Sequence, residues 1–361
     1  MRVLVTAPDL EETGGVATYY AVLREHLGAD VDFCLVGTRT GRETALGKAV
    51  RLLRDYGRFY RAAQSKRYDL IHLNPSLGPN ALLRDGLSLL LAKSLGHRVL
   101  VFLHGWDPAC EAAIRRRFLP LFRWVYFRAD AFVVLASQFR SALQEFGCHK
   151  PIYLETMVVP DEIFSYAAGR PAPVPRDRLN ILFLSRLEKA KGIYEAIAAW
   201  RILKKKYPTL VLTVAGDGSE RESAQRYVQS QNLKDIVFPG WVRAQTKLET
   251  FANADLYLFP SYHEGMPNSV LEAMACGLPV VTRAVGGVRD FFEDGKMGFL
   301  TESRAPEVFA SLVERLILDP GLRQAMAGYN RSFAQQNFTA SAVARRLTEM
   351  HRRTIAGTQQ P

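Results

Sequence analysis

Residues 254–287 restrict the possible fold more than any other stretch. Ala254–Pro260 (A-D-L-Y-L-F-P) is an apolar run ending on a proline and reads as a short buried strand. A loop follows, and Pro267 suits the first turn of a helix, where its missing N–H costs nothing. Val270, Leu271, Ala273, Met274 and Ala275 carry that helix, Gly277 closes it, and Pro279–Thr282 is a second strand. Strand, loop, helix, strand is the repeating unit of a parallel α/β sheet.

The unit holds two carboxylates, Glu264 on the loop and Glu272 in the helix. Eight residues of helix at about 1.5 Å each set them roughly 12 Å apart. That is too far to share a proton or flank one glycosidic bond, and suited to gripping both ends of an extended ligand. The N–H groups of Gly265, Met266, Asn268, Ser269 and Val270 gather at the helix N-terminus, where donors and dipole together stabilise a phosphate. A sugar at Glu264, phosphates over the helix start and a ribose at Glu272 describe a nucleotide-sugar.

The run H-E-G-M-P-N-S-V-L-E-A (263–273) resembles the signature of retaining glycosyltransferases of the GT-B fold, the group 1 or E-x7-E family. The resemblance implies two Rossmann-like β/α/β domains facing each other across a donor/acceptor cleft. It implies that Glu264 contacts donor-sugar hydroxyls, that Glu272 binds the ribose, and that residues 265–270 supply backbone donors. Arg186 and Lys191 match the family's R-x4-K at a strand-to-helix turn. A guanidinium fork and an ammonium point charge there can stabilise the departing diphosphate without a metal. Gly15, in the Gly14-Gly15 turn after the first strand, and Gly216 fall where the family's loops border the donor. Val242, after Gly240-Trp241, falls where the family contacts the base. His104, in L-H-G-W-D, resembles the family histidine facing the sugar near the anomeric centre. The resemblance implies retention; no carboxylate is a clear nucleophile on the opposite face, so a front-face transfer is expected over double displacement, with His104, Arg186, Lys191 and Glu264 assigned to the chemistry. No metal and no cofactor are expected beyond the nucleotide diphosphate-sugar itself.

At 361 residues two domains are expected: 1–165, a linker at 166–178, and 179–339, with 340–361 a helix crossing back to the first domain as in the family. The linker is proline-rich and polar (S-Y-A-A-G-R-P-A-P-V-P-R-D-R, from Ser165). Hydrophobic content of 48% and charged content of 23% describe an ordinary globular chain. Apolar runs are too short for a membrane span, and the N-terminal M-R-V-L-V-T-A-P has no cleavage pattern. Cys34, Cys110, Cys148 and Cys276 lack metal spacing and read as reduced, packed thiols. Together these point to the cytoplasm.

Several motifs are set aside. Asp30-Val31-Asp32 has no ligand cluster around it and opens a strand. Gly41–Ala49 has one residue too many for a P-loop. Gly216-Asp217-Gly218 is not a dinucleotide fingerprint, because Arg221 stands where the third glycine would be.

A net charge of +11 calls for an anionic partner. Its clearest carriers are two aromatic-rich basic stretches in the first half, 46–67 and 115–128. They fit an anionic membrane surface, hence peripheral association with the cytoplasmic face of an inner membrane. No reading motif for nucleic acid occurs. With the resemblance, they imply a lipid-linked or membrane-associated glycan acceptor in surface polysaccharide, lipopolysaccharide or glycolipid assembly. The alternatives are another GT-B enzyme, a sugar-nucleotide epimerase or phosphorylase, and a non-catalytic nucleotide-sugar-binding protein at the membrane.

Overall fold

The computed structural model describes residues 1–12, 14–37, 44–65, 67–168 and 178–357. Contacts divide the chain into two compact units, Met1–Val158 with Ala340–Pro361, and Val159–Thr339.

The first unit is a six-stranded, wholly parallel sheet. Its strands are β1 (Val3–Ala7), β2 (Val31–Leu35), β3 (Leu70–Leu73), β5 (Arg98–Leu103), β7 (Ala131–Val134) and β8 (Ile152–Leu154), in the order β2-β1-β3-β5-β7-β8. A two-residue ribbon, β4 (Ser76–Leu77) with β6 (Gly105–Trp106), stands beside it. Its helices are α1 (Gly15–Leu23), α2 (Ala45–Gln64), α3 (Pro79–Ser94), α4 (Pro108–Ala113), α5 (Leu119–Tyr126), α6 (Ser137–Glu145) and the C-terminal helix, Ala340–Ala356. β1, β3 and β7 are buried at every residue, as continuous apolar runs must be when helices cover both faces of a parallel sheet. α3 packs between α2 and α5, whereas α1 packs against the C-terminal helix. Residues 114–118 form a π-helical turn between α4 and α5, so the second basic stretch is a broken helix. Residues 41–43 of the discarded P-loop-like stretch lie outside the described residues. Asp32 sits in β2 and bonds Arg2 at 3.1 Å.

The second unit begins with α7 (Asp161–Ala168) and holds α8 (Ile193–Lys204), α9 (Arg221–Ser230), α10 (Ala244–Ala252), α11 (Asn268–Ala275), α12 (Val288–Phe291), α13 (Pro306–Leu318) and α14 (Pro320–Asn337). Its strands are β9 (Asn180–Leu184), β10 (Val211–Ala215), β11 (Ile236–Gly240), β12 (Leu256–Phe259), β13 (Val280–Arg283) and β14 (Gly298–Thr301). They form a parallel sheet ordered β11-β10-β9-β12-β13-β14. The chain starts at β9 and moves outward one way, then returns to β12 and moves the other way. That reversal places the switch point between β9 and β12, where sheets of this kind bind ligands beyond the strand ends.

Residues 159–165 belong to the second unit and not to the first, as the sequence had suggested. The Val159 N–H donates to the Phe338 carbonyl at 2.9 Å, and α7 packs on α10 and α11. Helix α7 also continues through Ala168, into the span expected to be linker; residues 169–177 lie outside the described set. α11 ends in a Schellman turn. The Leu278 N–H reaches the Ala273 carbonyl and the Gly277 N–H the Met274 carbonyl, with Gly277 at φ +74°. Asn330 of α14, fully buried, donates to the carbonyls of Leu278 and Met297, both at 2.8 Å, and fixes the strand that follows.

Candidate functional site

At the switch point three loops are laced together by the backbone. After β9, the Leu187 N–H donates to the Asp217 carbonyl (2.8 Å) and the Glu220 N–H to the Leu187 carbonyl (2.9 Å). Gly216 carries φ +137°, and a Cβ there would stand 1.8 Å from the Ser185 carbonyl oxygen. Its role is therefore close packing: only glycine lets β10 end against the loop that carries Arg186. Gly192, at φ +79°, does the same on the other side, where a Cβ would meet the Pro260 carbonyl oxygen at 2.4 Å. The Tyr262 N–H closes the contact on Ala190 at 2.8 Å. These bonds carry Lys191 to the loop after β12.

There the Lys191 ammonium meets Glu264 Oε1 at 2.7 Å, and Ser261 Oγ donates to the same oxygen at 2.7 Å. Both charged side chains are largely buried. Gly286, at φ +53°, lets the chain beyond β13 pass against the Glu264 and Gly265 carbonyls, and the Gly287 N–H donates to Gly265 at 2.7 Å. Glu272, buried in α11, is met by Lys247 of α10, Nζ to Oε1 2.6 Å. Each carboxylate of the pair thus holds a lysine. Arg186 is different: it is exposed and pairs with Glu188 at 2.9 Å.

Pro267 is the N-cap of α11 and not its first helical residue, one position earlier than expected. Consequently the Val270 N–H is used, donating to the Pro267 carbonyl at 3.1 Å, and is not one of the free donors. The N–H groups of Asn268 and Ser269 point from the helix start without a partner among the described residues. Ser269 Oγ lies 2.7 Å from the buried Tyr257 phenol, which also bonds the Leu184 carbonyl at 2.8 Å. Burial pushes that phenol's pKa far up, so it stays a neutral anchor. Met266 is buried and Val242 is buried beside the exposed Trp241.

In the first unit His104 follows β5 directly. Its ring stacks on Phe102 at 3.7 Å, Tyr19 meets it edge-on at 5.0 Å, and Nε2 lies 3.0 Å from Asn74 Oδ1. Burial pulls its pKa down to about 3, so the imidazole is neutral. Gly15 opens α1, and a Cβ at Gly14 or Gly15 would meet nothing within 4 Å.

Lys247, Ser261, Gly192 and Gly286 went unnoticed in the sequence. Lys247 is 25 residues from Glu272, with no periodicity linking them. Only the Gly-Gly at 286–287 carried a local signal, the punctuation of a turn. Among the described residues no three His, Cys, Asp or Glu side chains cluster to hold a metal ion.

Residues 170–333 match the family described as Glycosyl transferases group 1, and residues 2–154 match the Glycosyl transferase 4-like domain. Each half of the chain thus matches a glycosyltransferase family model, the second that of group 1. Among its curated relatives, a putative colanic acid biosynthesis glycosyltransferase of Salmonella typhimurium is 25% identical over 78% of this chain and 69% of its own. A Mycobacterium tuberculosis glycogen synthase is 27% identical over 71% of this chain and 61% of its own. Among solved structures, sucrose-phosphate synthase from Thermosynechococcus elongatus superposes with a TM-score of 0.75 at 21% identity, covering 99% and 100% of the two chains. Anabaena HepE, solved with UDP-glucose, gives 0.74 at 19% identity over 98% and 99%. The two parallel six-stranded sheets thus match the GT-B fold of glycosyltransferase structures.

Proposed function

We propose that this glycosyltransferase moves a hexose-type sugar, with retention and without a metal, from a nucleotide diphosphate-sugar to a hydroxyl of a lipid-linked or membrane-associated glycan. The observation that carries the reading is the pair of carboxylates at the switch point, each matched to a lysine, with the α11 N-terminus between them in sequence. Glu264 takes sugar hydroxyls, Glu272 the ribose, and the Asn268 and Ser269 N–H groups the phosphates. Lys191 and the exposed Arg186 supply positive charge as the bond from the anomeric carbon to the β-phosphate oxygen breaks. Gly216, Gly265, Met266, Pro267, Val270 and Val242 complete the donor's surroundings within the second unit, whereas Gly15 and His104, in the first, keep the roles that the resemblance implies. The binding of UDP-glucose by HepE, a structural neighbour, supports a nucleotide-sugar donor. Release of nucleoside diphosphate on addition of one donor tests the reading.

The acceptor side rests on the outer helices of the first unit. Leu46, Val50 and Leu53 of α2, Leu83 and Leu87 of α3, and Phe118, Leu121 and Trp124 around α5 are all exposed. Exposed Lys48, Arg54, Arg58, Arg116, Arg117 and Arg123 stand among them. The two acids within α2 and α3 are buried and paired, Asp55 with Arg51 and Asp85 with Arg84. Large apolar side chains interleaved with unopposed cations fit the boundary between headgroups and acyl chains of an anionic bilayer. No helix among the described residues is long and apolar enough to cross one. A relative in colanic acid synthesis and a structural neighbour that is a lipopolysaccharide outer core galactosyltransferase support this cytoplasmic, membrane-peripheral setting.

A further inference from the structure

In the second unit, β13 lies between β12 and β14 and ends on a buried cation, Arg283, which is 8% exposed. Among the described residues no carboxylate pairs with it; its bonds go to main-chain carbonyls. Nε donates to Ser303 at 3.1 Å, Nη2 to Glu302 at 3.0 Å and Nη1 to Ser261 at 3.3 Å, with the Tyr262 carbonyl 3.5 Å from Nη1. Glu302 and Ser303 lie just past β14, Ser261 and Tyr262 just past β12. One side chain of the middle strand therefore ties together the exit loops of both neighbours. A guanidinium suits this task because its N–H groups fan out in a rigid plane. Burial and the nearby Arg304, whose guanidinium covers the Tyr262 ring at 4.5 Å, both disfavour the charge and lower the Arg283 pKa. A buried charge without a counter-charge is a poor source of stability, so its presence calls for another explanation.

The bond to Ser261 supplies one. Ser261 is fully buried, and its shortest hydroxyl bond runs to Glu264 Oε1 at 2.7 Å, the oxygen that the Lys191 ammonium also meets. Glu264 Oε2 has no partner among the described residues, so Oε1 anchors the carboxylate and Oε2 is left for a ligand. The far end of the loop is held separately, by the Gly287 N–H on the Gly265 carbonyl at 2.7 Å. Glu264 thus sits between two fixed points, and Arg283 makes the first of them.

We propose that Arg283 is a positioning residue of the donor site: by clamping Ser261 it sets the Glu264 carboxylate so that Oε2 accepts from a hydroxyl of the donor sugar. The part concerning the sugar rests on the transferase reading; the clamp on residues 261–264 does not. The N–H groups assigned to the phosphates belong to Asn268 and Ser269 of α11, beyond the Gly265 anchor. Loss of the clamp is therefore felt by the sugar and not by the nucleotide.

The test uses Arg283→Lys in the full-length chain, which keeps the charge but gathers its donors at one point and cannot span two loops. Hydrogen exchange without ligand comes first. The amides of 261–264 are expected to exchange about tenfold faster than in the wild type, with those of β9 unchanged. Unchanged exchange at 261–264 overturns the clamp. Binding is then measured for whichever of the UDP-, GDP-, TDP- and ADP-sugars raises the wild-type melting temperature most, and for its nucleoside diphosphate. Arg283→Lys should weaken the nucleotide-sugar about tenfold and leave the nucleoside diphosphate as in the wild type. Ser261→Ala, which spares the buried cation and covers the case of a lysine variant that does not fold, should show the same selective loss. The double variant should be no weaker than Ser261→Ala alone. Equal weakening of both ligands in either variant, or additive losses in the double one, refutes the positioning role. A wild-type chain that binds no nucleotide-sugar counts against the transferase reading instead, and the exchange result still decides the clamp.

Discussion

At the scale of single residues the site is a balance of buried charge. Glu264 and Glu272 are affordable inside the second unit because Lys191 and Lys247 sit on them at 2.7 and 2.6 Å. The donor's hydroxyls and phosphates would redistribute these bonds and create no new charge of their own on the protein. Buried histidines act differently. His72 and His351 are fully buried, and burial holds the first well below the ordinary 6.5 and the second at about 3. Unfolded chains take up those protons below about pH 6.5 and the folded protein does not. Stability is therefore level above pH 6.5 and falls as pH drops from 6.5 towards 3, by up to about 1.4 kcal/mol per unit for each histidine. With His104, which burial also holds at about 3, urea midpoints at pH 7.5 and 5.5 should differ by an equivalent of about 4 kcal/mol, and His351→Gln should shrink the difference. Equal midpoints would show that these rings are not held neutral.

Elements owe their positions to a few glycines whose backbone no other residue tolerates. Gly216→Ala would press a methyl group on Ser185 at φ +137°, in the loop that presents Arg186. It should lower the stability of the second unit by more than about 2 kcal/mol. Gly295→Ala, at φ +80° with nothing within 4 Å, should cost only about 1 kcal/mol. Thermal unfolding of the two variants compares them; equal shifts would contradict the packing role. The strand-loop-helix-strand of 254–287 was legible because every signal in it is local: apolar runs, a proline, a closing glycine, and carboxylates at fixed spacing. The start of α11 was misjudged by one residue, since a proline suits both the N-cap and the first turn. Lys247 was invisible because its partnership with Glu272 exists only once α10 has packed beside α11. The boundary at 158 was missed for the same reason, as the bond from Val159 to Phe338 spans most of the second unit's sequence.

For the whole molecule, the +11 charge is not spread evenly, and its location supports the proposed setting. Co-sedimentation with vesicles should rise with anionic lipid content, fall with added salt, and weaken in a Leu83→Glu, Trp124→Glu double variant. Binding indifferent to lipid charge would rule out the basic face as the docking surface. Both halves match glycosyltransferase family models, but the resemblance was readable from one half only. The second unit carries the signature, whereas the first carries α/β grammar and a single histidine set among Tyr19, Asn74 and Phe102. The most direct test of the central claim is a donor screen. Purified protein is incubated with UDP-, GDP-, TDP- and ADP-sugars, with and without EDTA, alongside lipid extract as acceptor source, and nucleoside diphosphate release is followed. The account predicts release from one donor, unchanged by EDTA, and reduced about 100- to 1,000-fold in Glu264→Ala and Lys191→Ala. Undiminished release in both variants, or neither release nor a thermal shift with any nucleotide-sugar, would contradict it.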